Sequence, residues 1–321
     1  MNASGAKPAV TVAGVTKRFA AVTALAGITF QVNSGELFGL IGPDGAGKTT
    51  MLRILAGVMA ADSGTVRVEN VDVVARPEDV RERISYMPQR FGLYEDLTVD
   101  ENIRFFAEVF AVPRRVRAER STRLLAASGM LRFRKHLAGQ LSGGMKQKLG
   151  LTCALVHAPR IVLLDEPTTG VDPVSRREFW QILYGLRAEG ASIVISTAYL
   201  DEADRCDRLA LMHNGELPYC ESPDALRARM PGGMLEIATS VARAARDILL
   251  PVPGVRNVLI VGDGVHVHVD DARKRMADLE RALTVKGLEH GSVHEITPSI
   301  EDLFVALLGH APSVDARARI A

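Results

Sequence analysis

A glycine-rich segment followed by lysine and threonine is the part of the sequence whose residue types and spacing best define a chemistry. The segment consists of Gly42, Pro43, Asp44, Gly45, Ala46, Gly47, Lys48 and Thr49, with Thr50 next in the chain. It fits the pattern G-x-x-x-x-G-K-[ST] at every fixed position, and it follows a strand-like run and opens a helix-like run. Such glycines let consecutive backbone N–H groups face one anion, and a helix N-terminus adds about half a positive charge. The pattern therefore predicts a phosphate cradle in which Lys48 contacts β- and γ-phosphates and Thr49 binds Mg²⁺; the alternative is a chance glycine turn.

Two carboxylates end a wholly apolar run further along the chain, where Ile161–Leu164 is followed by Asp165 and Glu166. A strand that is buried on both faces has no structural need for two acids at its carboxyl end, and open α/β sheets bind their ligands there. We predict that Asp165 orients Mg²⁺ through water and that Glu166 takes the proton of an attacking water. The alternative is a solvated turn or helix cap.

Strand-like and helix-like segments must position these residues, and they alternate through the first part of the chain. The runs ELFGLIG, IVLLDEP and SIVIST are apolar enough for strands with two buried faces, and each precedes a helix-like run. This alternation predicts an α/β fold with a parallel sheet covered on both faces. We place this nucleotide-binding domain at residues 8–222, with a helical subdomain at about 92–158.

A different pattern begins after Pro223. It has the order strand, helix, hairpin, helix, strand, with Gly262-Asp263-Gly264 as the hairpin turn. This order predicts a small α+β domain of the ferredoxin-like plan at residues 232–310, followed by a flexible tail at 311–321. Within this domain we expect His266 and His268 to form an exposed polar face opposite a core of valines.

A third motif lies between these two and makes the resemblance to a known family specific. It is the segment Leu141-Ser142-Gly143-Gly144-Met145-Lys146-Gln147. With these motifs, the chain up to about residue 220 resembles the ATP-binding subunit of an ABC transporter. The resemblance implies a P-loop ABC ATPase fold, with a parallel RecA-like core, an antiparallel β subdomain and a helical subdomain, and it implies ATP and Mg²⁺ as cofactors. In physical terms, Ser142 can cap a helix whose first N–H groups, at Gly143 and Gly144, point at a γ-phosphate. The family usually has glutamine where this chain has Met145.

Three further positions receive their functions through this resemblance. Gln89 corresponds to the loop glutamine that meets Mg²⁺ or the lytic water, and Phe19 corresponds to the aromatic side chain that stacks on adenine. Asp172 corresponds to the loop that crosses the dimer interface between two nucleotide sites. Without the resemblance, a phenylalanine such as Phe19 would be interpreted as a core residue more often than as a base platform.

One position departs from the family pattern. The family normally has Ser-Thr-His where this chain has Ser196-Thr197-Ala198. The resemblance implies that the missing histidine would contact the γ-phosphate and help to fix the water and Glu166. We therefore expect a nucleotide to be bound beside Ala198, and we expect turnover at this site to be impaired.

The motifs and their flanks look most like the drug- and antibiotic-export branch with type-2 permeases, and in particular like the amino-terminal half of a tandem subunit. The resemblance implies a cytoplasmic protein, peripheral on the inner face of the cell membrane, that powers an exporter through nucleotide-driven dimerisation. The expected partners are a type-2 permease and a second ATPase subunit or domain with an intact switch histidine. The alternative is a regulatory half of an asymmetric ATPase pair, which binds ATP without cycling it.

The overall composition excludes other classes of protein. Hydrophobic residues make up 47% of the 321 residues, which excludes a mostly disordered chain, and the net charge of +1 gives no field that would attract nucleic acid. No apolar stretch approaches the ~20 residues that span a bilayer, and the amino terminus lacks the pattern of a signal peptide. Cys153, Cys206 and Cys220 have neither metal-ligand nor disulfide spacing, so we expect reduced thiols in the cytosol.

Overall fold

The computed structural model describes residues 8–308, so the predicted tail at 311–321 lies outside the described residues. The chain divides into two compact units between Cys220 and Glu221. The stretch between the two predicted domains contains a short helix, Pro223–Ala228, which belongs to the second unit. Across residues 8–308, no helix has both the length and the apolar character that a bilayer crossing requires.

The first unit is built from both strands and helices. Its strands are β1 (Pro8–Phe19), β2 (Val22–Asn33), β3 (Leu37–Ile41), β4 (Ser63–Val68), β5 (Val71–Asp72), β6 (Ile84–Met87), β7 (Ile161–Asp165), β8 (Ser192–Thr197), β9 (Arg208–His213) and β10 (Glu216–Glu221). Its α-helices are α1 (Lys48–Leu55), α2 (Pro77–Arg81), α3 (Val99–Val109), α4 (Arg114–Ala127), α5 (Gly143–Leu155) and α6 (Pro173–Ala188).

A six-stranded sheet with the order β10-β9-β3-β8-β7-β6 forms the centre of this unit. The pairs from β9 across to β6 are parallel, which confirms the predicted α/β fold. Strands β3, β7 and β8 are buried along their whole length, as strands covered on both faces must be. Because these strands are parallel, the phosphate loop after β3, the acid pair at the end of β7 and Ala198 after β8 meet at one edge of the sheet.

A second sheet of four antiparallel strands has the order β2-β1-β4-β5. Its inward-facing side chains, such as Val10 and Ile28, share one hydrophobic core with Leu52 of α1 and Phe38 of β3. This sheet is the antiparallel β subdomain that the resemblance implies. Its strand β2 lies directly against the phosphate loop, because Ala24 and Leu25 border Gly47.

Helices α3 to α5 pack around a small core of their own, to which Ile103, Leu125, Leu149 and Cys153 contribute. Helix α3 begins with a capping box. The hydroxyl of Thr98 accepts a hydrogen bond from the N–H of Glu101, and the Glu101 carboxylate accepts one from the N–H of Thr98. The chain turns between α3 and α4, and α4 begins directly after Pro113. These helices form the helical subdomain that the resemblance implies.

The second unit has the predicted strand and helix order. After α7 (Pro223–Ala228), its elements are β11 (Gly233–Ala238), α8 (Ala242–Leu249), β12 (Val255–Val261), β13 (Gly264–Val269), α9 (Ala272–Val285), β14 (Val293–Ile296) and α10 (Ile300–Leu308). The strands form one antiparallel sheet with the order β12-β13-β11-β14, which is the ferredoxin-like plan. Helices α8 and α9 cover one face, where Leu249 and Leu279 pack on the valines of β13.

The expectation of an exposed histidine face on β13 is wrong. His268 is only 6% exposed, and its Nε2 lies 2.8 Å from the carbonyl oxygen of Pro231. His266 Nδ1 lies 3.0 Å from Oδ1 of Asp302, which is buried in α10. The physical reason is that α10 also has to bury apolar side chains, such as Phe304, and it does so over the second face of the sheet.

Candidate functional site

The phosphate loop folds tightly enough that two of its glycines cannot be replaced without a clash. A Cβ atom at Gly42 would overlap the carbonyl oxygen of Met212, and one at Gly47 would overlap that of Ala24. Gly47 also has a φ of +103°, in the left-handed region that side chains disfavour. The spacing of the glycines in the motif therefore follows from the close approach of β2 and β9 to this loop.

Helix α1 begins at this loop without a side chain that would satisfy its first N–H groups. Its N-cap residue is Gly47, and no acidic residue lies in its first turn, which contains Lys48, Thr49 and Thr50. Helix N-termini leave several N–H groups without intrahelical partners, and they carry a positive partial charge. The backbone here therefore fits a phosphate group. Asp44 and Gly45 are exposed at the tip of the loop, while the Ala46 N–H donates to the Pro43 carbonyl at 3.2 Å.

Lys48 lies inside the loop with only 4% of its surface exposed. Its Nζ donates hydrogen bonds to the carbonyl oxygens of Gly42 at 2.8 Å and Pro43 at 3.0 Å. The same Nζ lies 3.1 Å from Oε1 of Glu166. A buried ammonium is held here by one carboxylate and two carbonyl groups, which places a positive charge between the phosphate loop and the acid pair.

Asp165 is almost completely buried at the end of β7 and accepts hydrogen bonds from three hydroxyl groups. Its Oδ1 accepts from Thr49 Oγ1 at 3.0 Å and from Ser196 Oγ at 2.8 Å, and its Oδ2 accepts from the Tyr86 hydroxyl at 3.2 Å. Burial, reinforced by the nearby charge of Asp165, raises the pKa of Tyr86 to about 12. Tyr86 therefore remains a hydrogen-bond donor at neutral pH.

Glu166 has an unusual backbone conformation that turns its carboxylate toward the loop. Its φ is +47°, a left-handed conformation that costs about 1–2 kcal/mol in a residue with a side chain. Its N–H donates to both the carbonyl and the hydroxyl oxygen of Ser196, at 3.1 and 3.0 Å. Its Oε2 accepts from Gln89 Nε2 at 3.1 Å and from Thr169 Oγ1 at 3.4 Å. The structure thus joins Gln89, Glu166 and Lys48, which lie far apart in the sequence.

The donor groups at this edge suit Mg²⁺. Magnesium prefers oxygen ligands and is usually held by one or two carboxylates together with water and phosphate oxygens. Thr49 supplies a hydroxyl, Asp165 a carboxylate and Gln89 an amide oxygen, since the amide nitrogen of Gln89 faces Glu166. Within the described part of the chain, no cluster of three or more His, Cys, Asp or Glu side chains has the arrangement of a dedicated metal site.

The signature segment begins α5 as the sequence predicts. Ser142 is the N-cap residue, and its hydroxyl accepts a hydrogen bond from the N–H of Met145 at 3.3 Å. A Cβ atom at Gly144 would lie 2.5 Å from Ser175 Oγ, whereas one at Gly143 would meet no atom within 4 Å. The segment therefore packs against the start of α6. Among residues 8–308, no hydrogen bond or ion pair joins Ser142, Gly143 or Gly144 to the phosphate loop.

Asp172 is the N-cap residue of α6. Its Oδ1 accepts from the N–H groups of Val174 at 3.1 Å and Ser175 at 2.9 Å. The hydrogen bond from the Ser175 N–H, together with the Ser175 hydroxyl, holds the pKa of Asp172 below its usual range. Asp172 and Gly144 both lie against Ser175, so the signature segment and the predicted interface loop form one surface.

Phe19 lies outside the core, at the end of β1, with 45% of its surface exposed. Lys17 Nζ lies 5.6 Å from the centre of its ring, within reach of a cation–π interaction. The exposed ring excludes the alternative that Phe19 is a core residue, and it leaves one aromatic face available for stacking.

The segment after β8 contains Ala198 and an aromatic neighbour that is already engaged. The guanidinium of Arg176 lies 4.2 Å from the centre of the Tyr199 ring, and the Tyr199 N–H donates to Thr197 Oγ1 at 2.9 Å. Tyr199 therefore packs against α6. The side chain of Ala198 has no polar group with which to contact a phosphate.

Sequence reasoning missed three hydroxyl groups that contact the acid pair, those of Tyr86, Thr169 and Ser196. Two of them carried a recognisable signal, because Tyr86 and Ser196 are polar residues in short strands of the central sheet. A buried polar side chain needs a hydrogen-bond partner, and the acid pair ends the strand between them.

The fold and this arrangement define a nucleotide-binding cassette, and comparisons with known proteins agree. The sequence profile of the ABC transporter family matches residues 25–169. A solved "ATP binding subunit of ABC transporter" superposes with a TM-score of 0.63 at 30% identity, covering 68% of this chain and 92% of that one. A dimeric bacterial ABC transporter cassette gives a TM-score of 0.62 at 28% identity, with 66% and 98% covered. The chain belongs to the ABC transporter family, as the sequence resemblance predicted.

Relatives with names extend this result to a branch of the family. The chain is 42% identical to the probable multidrug ABC transporter ATP-binding protein YbhF of Escherichia coli (strain K12), across 94% of this chain and 52% of that protein. It is 32% identical to the daunorubicin resistance ATP-binding protein DrrA2 of Streptomyces coeruleorubidus, across 94% and 95%. The Nod factor export ATP-binding protein I of Rhizobium sp. (strain N33) is 34% identical, across 94% and 98%. The chain spans about half the length of YbhF, and these names confirm the likeness to the drug-export branch.

Proposed function

We propose that the chain is the ATP-binding and ATP-hydrolysing subunit of an ABC exporter. The observation that carries this proposal is the joining of Lys48, Thr49, Gln89, Asp165 and Glu166 at one edge of the central sheet by direct hydrogen bonds and an ion pair. The loop and Lys48 would hold the β- and γ-phosphates, and Thr49, Asp165 and Gln89 would hold Mg²⁺. When bound, Mg²⁺ would neutralise phosphate charge.

Glu166 is the proposed general base for the attacking water. In this structure its carboxylate accepts from both Lys48 and Gln89, so it is held between the loop and the glutamine. A γ-phosphate is a stronger anionic competitor for the Lys48 ammonium than a carboxylate. Binding of ATP would therefore release Glu166 from Lys48, and the freed carboxylate could accept the proton of a water aligned with the phosphate.

Ala198 makes this site a slow one. The position that the family fills with histidine has no side-chain donor here, and the neighbouring Tyr199 ring is packed under Arg176. A positioned transition-state donor typically contributes about 10²–10³ to the rate. The chain should therefore bind ATP well and hydrolyse it slowly.

The remaining predicted site residues would act in a pair of ATPase subunits or domains. Phe19 would stack on adenine, and the surface formed by Ser142, Gly143, Gly144 and Asp172 would face a nucleotide held by a second ATPase subunit or domain. The dimeric cassette among the similar structures supports pairing. We further propose that residues 8–222 form the nucleotide-binding domain and 232–310 an accessory domain.

The names of the relatives support drug export as the process that the chain powers. The proposed partners are a type-2 permease and a second ATPase with an intact switch histidine, with the chain peripheral on the inner face of the membrane. The match to half of YbhF supports a relation to one half of a tandem subunit. A second candidate function is a regulatory half that binds ATP without cycling it, and the absence of a donor at Ala198 favours it.

Titration of a fluorescent ATP analogue tests the assignment of the phosphate loop. Lys48→Ala removes a charge-assisted contact of about 1.5–3 kcal/mol, so the affinity should fall roughly 10- to 150-fold. The control is Lys135→Ala, which removes an exposed lysine of the same unit and should bind like the wild type. Equal affinities for Lys48→Ala and the wild type would count against the proposed function.

A further inference from the structure

A buried serine at the end of β8 contacts both Asp165 and Glu166. These two acids lie at the edge of the central sheet that also carries the phosphate loop, which we call the phosphate-loop edge. Ser196 is 0% exposed and lies opposite Asp165 in the pairing of β7 with β8. Its hydroxyl donates to Asp165 Oδ1 at 2.8 Å and accepts from the Glu166 N–H at 3.0 Å. A hydroxyl group has one hydrogen and two lone pairs, so the two contacts use different parts of it and can form together.

Tyr86 contacts the same carboxylate from the opposite side. Strands β6 and β8 are the two neighbours of β7, and Tyr86 on β6 donates to Asp165 Oδ2 at 3.2 Å. Each oxygen of the buried carboxylate is thus held by a neutral hydroxyl from a different strand. This arrangement fixes the direction of the carboxylate relative to Thr49.

The hydroxyl groups of Ser196 and Tyr86 can hold Asp165 while Mg²⁺ is bound, which the hydroxyl group of Thr49 cannot do. Thr49 Oγ1 donates to Asp165 Oδ1 at 3.0 Å, but a threonine that ligates Mg²⁺ turns its oxygen to the ion. Ser196 and Tyr86 are not ligands in the proposed site, so their contacts can persist when that of Thr49 changes. Mutation of a group that holds a metal-ligating side chain typically lowers metal affinity by about 10- to 100-fold.

We propose that Ser196, supported by Tyr86, is a positioning residue that aims Asp165 at Mg²⁺ and fixes the backbone of Glu166. This inference rests on the proposed function, since it takes Asp165 as the acid that orients the metal. Ser196 also holds the left-handed backbone of Glu166. The N–H of Glu166 donates to both the carbonyl oxygen and the hydroxyl oxygen of Ser196.

The same strand offers a matched control. Ser192, at the start of β8, is also buried, and its hydroxyl accepts from the Gly35 N–H at 2.9 Å. It lies at the opposite end of the strand from the acid pair. Ser192→Ala therefore removes a buried hydroxyl from β8 without touching the proposed metal site.

The test measures binding of a fluorescent ATP analogue to the full chain, first in EDTA and then across a Mg²⁺ titration. Ser196→Ala should raise the Mg²⁺ concentration that gives half-maximal enhancement by about 10- to 100-fold, with unchanged binding in EDTA. Tyr86→Phe should shift it in the same direction by less. Ser192→Ala should follow the wild-type curve. Tyr86→Phe keeps the ring and carries the test by itself if Ser196→Ala does not fold.

Two results would overturn the inference while leaving the proposed function intact. One is a wild-type Mg²⁺ curve for both Ser196→Ala and Tyr86→Phe. The other is a shift for Ser192→Ala as large as that for Ser196→Ala, which would mean that any lost hydroxyl in β8 has this effect. A wild-type chain that binds no analogue at all would instead refute the proposed function, and the two failures are thereby distinguished.

Discussion

The phosphate loop and the signature segment both place glycines at a helix N-terminus, but they differ in the polar side chains that lie beside that terminus. At the phosphate loop, α1 begins beside Lys48 and Gln89, which both contact Glu166, while Thr49 of the same helix contacts Asp165. At the signature segment, α5 begins with Ser142 and packs against α6 through Gly144. Under the proposed function, the first surface works with a nucleotide of its own, and the second has to be completed by another subunit.

The largest effect should come from restoring the missing donor at the phosphate-loop edge. Ala198→His should raise ATP turnover by about 10²–10³-fold, because the imidazole would supply the contact to the γ-phosphate that is absent. Steady-state ATPase rates at saturating ATP measure this. Ala127→His, at an exposed helical position, is the control and should leave the rate unchanged. An Ala198→His variant that binds ATP normally but is no faster would show that the slow step lies elsewhere.

The signature segment can be disturbed without touching the phosphate loop. Gly144→Ala should destabilise the fold by about 1–3 kcal/mol, because its Cβ would crowd Ser175, and it should lower turnover without weakening the chain's own ATP binding. Gly143→Ala gains the same helix propensity but meets open space, so the difference between the two variants isolates the clash. Thermal unfolding and ATP titration measure both effects. A loss of ATP affinity in Gly144→Ala would contradict the claim that the signature segment takes no part in the chain's own ATP binding.

The smallest predicted effect lies in the second unit, at the contact between His266 and Asp302. The pKa of His266 is raised first by its hydrogen bond to Asp302 and then by the charges of Asp302 and Glu236. Oε2 of Glu236 also lies 3.0 Å from Nε2 of His294. Burial alone would raise the pKa of Asp302, but hydrogen bonds from His266 and Ser299 lower it overall. The stabilisation from His266 is therefore full below about pH 6.5 and is lost as the pH rises through its raised pKa. The part from Asp302 is present above about pH 4 and is lost as the pH falls through its lowered pKa.

Amide hydrogen exchange in α10 measures this contact. His266→Gln should make α10 exchange faster than in the wild type at about pH 6, and the difference should shrink at about pH 9, where the imidazole is neutral in both states. ATP binding should be the same in both proteins. A difference that grows toward high pH would contradict the assignment of a protonated His266 beside Asp302.

Local motifs predicted which side chains lie together at the phosphate loop, because most of these residues are adjacent in the chain. Lys48 and Thr49 follow their glycines directly, and Glu166 follows Asp165 on a strand whose apolar run is unmistakable. Parallel pairing then brings the two motifs together at the carboxyl ends of the strands, which alternation alone suffices to predict.

The contacts that were missed depend on register and on distant elements. Ser196 and Tyr86 reach Asp165 because β8 and β6 pair with β7 in a particular register, and no local pattern specifies that alignment. The left-handed conformation of Glu166 accompanies its contacts with Ser196 and carries no sequence signal of its own. His266 was expected to be exposed because the helix that covers it, α10, lies more than 30 residues further along the chain.

One measurement on the unmodified chain tests the central claim that this site binds ATP but turns it over slowly. ATP binding and ATP hydrolysis are measured in the same sample of purified protein, at saturating Mg²⁺ and nucleotide. The proposed function predicts saturable binding together with a turnover well below about 1 s⁻¹, the lower end of the usual range for enzymes. Saturable binding with turnover at or above that rate would contradict it and would mean that another group does the work of the histidine missing at Ala198.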